Sequence, residues 1–282
     1  MARNEFVWRN YLMVIEDPDA YEMDDIDEPG IGIFEPGSHF ERLMDWSKFS
    51  KVLLMVLLGW GMLFILTVVI MIPLWGLIGL IGILYDPWAL LIMTVAEFGF
   101  LVPVIYYIRK EGLSLRSVGL KNWTSVKDIV LGVFVGLVML AANLVISYFM
   151  SLFTPDVGGD ELFFVPPEGD SAKIIWVSLW TLAMFAVVGF SEEVVFRGFL
   201  QRRMEMYYRE KGSSNYRLTA LLITSAIFSA IHLDLYGFGT RFVLGILLGY
   251  LAQRRKYTII GPTIAHGVNN SAIVVLAVLF GY

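Results

Sequence analysis

The sequence predicts an all-α fold, a polytopic transmembrane helical bundle of about seven spans, and three observations predict it. Apolar residues make up 57% of the 282 and charged residues only 17%, with a mean hydropathy of +0.68, more apolar material than a water-soluble core absorbs. Several uncharged runs are each roughly 20 residues long, the length a helix needs to cross ~30 Å of hydrocarbon. The segments between those runs alternate in charge, as the loops of a multi-pass protein do.

Residues 1–50 differ from the rest. They are acidic and rich in turn formers, with Asp24-Asp25-Ile26-Asp27-Glu28-Pro29-Gly30 at the centre, and read as a soluble N-terminal tail. Met1 to Glu5 lack the apolar stretch and cleavage site of a secretory signal, so the first span is expected to stay in the mature chain. Apolar runs follow at 52–75, 87–108, 126–150, 174–200, 217–233, 239–253 and 257–280. The apolar stretch Gly76 to Leu84 could add a re-entrant segment, which widens the count to six to eight. Residues 51–150 thus hold the first three spans and residues 151–282 the membrane core that carries the chemistry.

Arg109, Lys110, Arg116, Lys121 and Lys127 make one basic loop. Arg202, Arg203, Arg209, Lys211 and Arg217 make a second, and Arg254, Arg255 and Lys256 a third. Asp156, Asp160, Glu161, Glu168 and Asp170 form an acidic loop between the first two. The positive-inside rule then places the N-terminus in the cytoplasm and the C-terminus outside. Cysteine is absent, which excludes disulfides, thiolate metal sites and a cysteine nucleophile. No nucleic-acid partner is expected; the expected partner is the lipid bilayer, and the oligomeric state is not legible.

An ionisable side chain inside hydrocarbon costs at least ~2.5 kcal/mol on insertion scales, so each one needs a partner or a purpose. The fourth span runs Ser191-Glu192-Glu193-Val194-Val195-Phe196-Arg197. Glu193 and Arg197 are one helical turn apart and can pair, while Glu192 points about 100° away round the helix and is left for other work. The fifth span ends Phe228-Ser229-Ala230-Ile231-His232, and the seventh contains His266-Gly267-Val268-Asn269-Asn270, with His266 and Asn270 on one face. Of three histidines, only His39 lies elsewhere, in the tail. A buried carboxylate with an imidazole is the usual general-base pair for activating water, and a second His with an Asn supplies donors for a developing oxyanion.

Counted at 1.5 Å per residue from the nearest basic residue, Glu192 lies ~16 Å in from Arg203, His266 ~15 Å in from Lys256 and His232 ~22 Å in from Arg217. The fifth helix is therefore expected to tilt or to begin before Arg217. Taken singly, each polar residue has a structural reading, as a helix ion pair or an interhelical hydrogen-bond donor. Glu97, the intramembrane acid of the first three spans, is read as a structural or helix-orienting residue. Ser191, Ser225, Ser229 and Ser271 lack a Gly-x-Ser-x-Gly frame, and His-Glu-x-x-His is absent. A metal on Glu192, His232 and His266 stays chemically open, although Asn is a poor zinc ligand and no spacing requires an ion.

The set Glu192-Glu193-x-x-x-Arg197, Phe228-x-x-x-His232 and His266-x-x-x-Asn270 resembles the three separated motifs of the CAAX protease and bacteriocin-processing (Abi) family, over about residues 174–275. Eukaryotic members of that family are the type II CAAX prenyl endopeptidases. The resemblance implies a glutamate-dependent intramembrane endopeptidase that needs no metal or other cofactor. The positions of Glu192 and His232 would activate water, those of His266 and Asn270 would form the oxyanion site, and Glu193, Arg197 and Phe228 would support it. The implied substrate is a peptide, in the CAAX branch a prenylated one cut to remove its last three residues. Two other classes remain: a non-catalytic membrane scaffold or bacteriocin-immunity protein with the same fold, and a proton-coupled transporter, against which the lack of inverted repeats counts.

Overall fold

The structure is a computed structural model that describes residues 43–76, 86–120, 125–153 and 166–280. Nearly all of the tail, with His39, lies outside these residues, as do Lys121, the acids Asp156, Asp160 and Glu161, and the stretch 77–84 read as a re-entrant segment. The described residues fall into seven helices, α1 (Trp46–Trp75), α2 (Ala89–Lys110), α3 (Val126–Phe153), α4 (Asp170–Glu210), α5 (Tyr216–Ala230), α6 (Phe238–Arg254) and α7 (Ile260–Phe280), each over one of the apolar runs. α1 starts inside the stretch read as tail, because Asp45 caps it by accepting from Lys48 N at 2.9 Å. The outward faces of α1 and α3 are apolar, with Leu57, Ile65, Val69, Phe134, Leu137 and Phe149 all exposed, as lipid-facing helices require.

Five helices, α1, α2, α3, α4 and α7, are long and apolar enough to cross a membrane. The chain is a multi-pass integral membrane protein. α5 and α6 are shorter, at 15 and 17 residues, or about 22 and 26 Å at 1.5 Å per residue. α4 is much longer, at 41 residues, and its middle is unusual. Phe190–Glu193 forms a short α-turn between π-helical stretches at Met184–Gly189 and Val194–Gln201. π-turns are rare and concentrate at functional sites, and here they bracket both glutamates.

The helix ends sort by charge. Met44 N donates to Glu210, Arg203 reaches the Ser117 carbonyl at 3.4 Å, Gln253 and Tyr257 bond Glu205 at 2.6 and 2.5 Å, and Arg255 pairs with Asp128 at 2.6 Å. These contacts gather the start of α1, the 111–120 turn, the start of α3, the end of α4, the start of α5, the end of α6 and the start of α7 at one end of the bundle. That end carries the described basic residues of all three basic segments. Arg202 and Arg203 correct the sequence reading, since they are buried within α4 rather than in a loop, and Arg116 lies in the connecting turn but is buried. Arg203 lies within α4 over the Phe199 ring, its guanidinium centre 4.4 Å from the ring centroid.

α7 is central, packed between α3 and α4 and touching α6. Gly132 and Gly136, one turn apart on α3, make its closest approach possible. A Cβ on Gly136 would stand 2.7 Å from Val268 Cβ and 2.8 Å from the Ala265 carbonyl oxygen. This small-xxx-small face replaces hydrophobic association, which lipid does not provide, with backbone proximity. Gly136→Leu is expected to push α3 off α7 and cost about 1–3 kcal/mol of stability by overpacking, read as a lowered thermal midpoint in detergent. On the other side of α4, Val194, Val195, Phe196, Phe199 and Leu200 form a core with Phe100, Val104 and Tyr107 of α2, Val52 and Val56 of α1, and Phe228 of α5.

Candidate active site

Six of the residues singled out for chemistry meet at one level of the bundle, and Asn270 follows one turn after His266 on α7. Glu192 and Glu193 come from the α-turn of α4, Arg197 from the π-stretch after it, Phe228 and His232 from the end of α5, and His266 and Asn270 from α7. Glu193 is wholly buried, and one of its oxygens is shared. Arg197 Nη1 donates to Glu193 Oε1 at 3.0 Å, and the same oxygen lies 3.0 Å from His266 Nδ1. Arg197 Nη2 also donates to the Gly245 carbonyl of α6 at 3.3 Å, and its guanidinium centre stands 4.4 Å from the Phe228 ring centroid. One cation therefore ties α4, α5 and α6 together.

Glu192 faces both imidazoles. Its Oε1 is 4.0 Å from His232 Nε2 and its Oε2 is 3.7 Å from His266 Nε2, separations just beyond direct hydrogen bonding. The other ring nitrogens fix the tautomers. His232 Nδ1 lies 2.8 Å from the Phe228 carbonyl oxygen, which can only accept, so Nδ1 carries the proton and neutral His232 turns the Nε2 lone pair toward Glu192. By the same logic His266 Nδ1 donates to the Glu193 carboxylate, and His266 can donate through Nε2 only as an imidazolium. The Phe228 ring stands edge-on to both imidazoles, at 5.2 and 6.0 Å, and walls the site from the core. Glu192 and His266 are buried, whereas the His232 side chain keeps 28% of its surface exposed and forms the open edge.

His232 reaches Glu192 despite the unequal depths counted from the sequence. α5 begins at Tyr216 and still delivers His232 to Glu192. Arg203 was the wrong reference, because it is buried within a helix that continues to Glu210. Measured from that end, Glu192 is about 27 Å along α4, comparable to the ~22 Å from Arg217 to His232 along α5.

Two residues near the site escaped the sequence reading. Asn269 is buried, and its Nδ2 donates to Asn270 Oδ1 at 2.9 Å, which leaves the Asn270 amide N–H groups as donors not engaged by Asn269. Only its adjacency to Asn270 hinted at this in the sequence. Glu97 was read as helix-orienting, yet the 3₁₀ stretch Thr94–Phe100 of α2 packs against Phe190–Glu193. The Glu97 carboxyl lies within electrostatic reach of Glu192, with its Oε2 buried and without a hydrogen-bond partner among the described residues. Ser191 Oγ and Glu192 Oε2 are likewise buried without such a partner, so polar capacity is concentrated around Glu192. Among the described residues no group of three or more His, Asp or Glu side chains is arranged to hold a metal ion.

The fold and site define a helical membrane protein in which carboxylates and imidazoles from three helices converge within the span. Residues 174–281 match the family model described as type II CAAX prenyl endopeptidase, Rce1-like. The match covers the three motifs and all seven residues predicted from them, and leaves α1 to α3 outside. No curated protein and no solved structure matched the chain.

Proposed function

We propose that the chain is a glutamate-dependent intramembrane endopeptidase acting on peptides or prenylated peptides of the CAAX type. The observation that carries this reading is the placement of Glu192 between the Nε2 atoms of His232 and His266, inside the stretch similar to the Rce1-like family. A water bridging Glu192 and His232 loses a proton to this pair as its oxygen attacks the scissile carbonyl. The C–O bond forms, and the developing oxyanion is held by the His266 imidazolium and the Asn270 amide. The C–N bond then breaks, and the proton taken from water passes from the pair to the leaving amine. Glu193 stabilises the imidazolium that His266 needs for this role, and Arg197 holds Glu193 in place. Each step is carried by side chains of this chain.

The basic end of the bundle faces the cytoplasm in this reading, with the start of α1 at that end and the end of α7 at the other, so substrate reaches the open edge at His232 from within the bilayer. The test is cleavage of a farnesylated CAAX peptide by detergent-purified protein, with and without EDTA. Release of the terminal tripeptide, unchanged by EDTA, is expected. Loss of activity in EDTA overturns the metal-free mechanism, and no cleavage of this or an unprenylated peptide overturns the enzyme reading in favour of a scaffold.

A further inference from the structure

α5 and α6 form a hairpin whose tip stops at the level of the site. His232, just past the end of α5, meets the same carboxylate as His266, and about 20 Å of α7 runs on beyond His266. The tip, residues 231–237, is thus placed part-way along the bundle, with Leu233 and Leu235 exposed. Yet it holds a charged pair. Arg241, in the first turn of α6, donates from Nη1 to Asp234 Oδ2 at 2.6 Å, and both side chains remain partly exposed, at 31% and 40%. Asp234 is itself fixed, its Oδ1 accepting from Tyr236 N at 3.0 Å and Gly237 N at 3.1 Å. Ser229 Oγ pins the start of α6 to α5 by donating to the Phe238 carbonyl at 2.5 Å.

The guanidinium lies directly over Gly237, where a Cβ would stand 2.0 Å from Nη1, so this residue's lack of a side chain sets its position. It is within electrostatic reach of the His232 imidazole. A pair serving only to cap α6 needs no guanidinium at the open edge of the site, and charge at this depth is retained for a purpose. Asp234 engages one terminal nitrogen and orients the planar group, whose remaining N–H donors can still take a carboxylate in two parallel bonds.

We propose that Arg241, held by Asp234 over Gly237, is a carboxylate subsite that receives the free C-terminus of the peptide being cut, a few residues beyond the scissile bond. This rests on the endopeptidase reading above and specifies its substrate. A chain end reaches a site open to lipid as one strand, whereas an internal segment must enter as a loop with two strands of unsatisfied backbone. Lipid phosphates stay at the headgroup level, so the anion that reaches this depth is the one the peptide carries.

The experiment uses full-length protein in detergent and two farnesylated peptides identical except for a free C-terminal carboxylate or a carboxamide. Wild type is expected to favour the acid over the amide in kcat/KM by about 10–100-fold, mostly in KM, the size of a charge-assisted hydrogen bond. Arg241→Gln should bring that ratio close to one, and Arg241→Lys, which keeps the charge without the fork, should retain part of it. Equal cleavage of both peptides by wild type overturns the subsite and leaves the endopeptidase reading standing. An undiminished ratio in Arg241→Gln overturns it too, and assigns any selectivity elsewhere. If wild type cleaves neither peptide, the endopeptidase reading fails and the subsite fails with it.

Discussion

Glu192→Gln should leave the protein folded and remove its peptidase activity, with kcat falling on the order of 10²–10⁴-fold, the contribution of a positioned general base. The substitution keeps the volume of a buried side chain and takes away only its capacity to accept a proton. Folding is expected to survive because neither Glu192 oxygen makes a direct hydrogen bond to an imidazole, so no bond of the supporting network is broken. Insertion, purification yield and thermal midpoint should match wild type. Retained cleavage by the well-folded variant removes Glu192 from the mechanism. A variant that loses stability and activity together points instead to a structural polar cluster.

Arg197→Met should behave in the opposite way, as a folding defect. Arg197 and Glu193 are fully buried, and removing the cation leaves a carboxylate without its partner at the meeting point of three helices, a loss of about 3–5 kcal/mol. The same change breaks the bond to the Gly245 carbonyl and the contact with the Phe228 ring. Thermal unfolding in detergent, followed by the fluorescence of buried Trp176 and Trp180, reads the loss. Combining it with Glu193→Gln should restore part of the stability, since the uncompensated charge is gone, but not the activity, since His266 then lacks the carboxylate that stabilises its imidazolium. Equal stability of wild type and Arg197→Met shows that the pair does not hold the helices together.

These two variants separate because the sequence pattern already distinguished their roles. The turn between Glu193 and Arg197 announced a pair, and the step round the helix to Glu192 announced an independent carboxylate. The helices were legible for a simple reason, that hydrocarbon forces long apolar runs wherever the chain crosses it. Convergence of Glu192, His232 and His266 was legible because ionisable side chains inside those runs are scarce. What stayed hidden depends on packing between distant elements. Glu97 looked isolated because nothing local says that α2 lies against the α-turn of α4. Asn269 drew no reading of its own, since its contact with Asn270 depends on which neighbour fills which amide atom. Arg203 looked like a loop cation because a helix that runs on past a basic residue cannot be told from one that stops there. The shortness of α5 was masked by the apolar residues past its end, Ile231 and Leu233, which lengthen the hydropathic run without lengthening the helix, whereas the run over α6 was already short.

The half-depth hairpin also bears on how the chain is threaded into the bilayer. The hairpin starts with α5 and finishes with α6 at the basic end of the bundle, so the pair contributes nothing to the parity of crossings, and five full spans leave α7 pointing the same way that seven would. Asp234 and Arg241 consequently need never be hauled across to the far aqueous phase during insertion. The tip can gain or lose residues over evolutionary time without inverting the C-terminal helix, so the rim of the site can be remodelled while the catalytic helices keep their orientation.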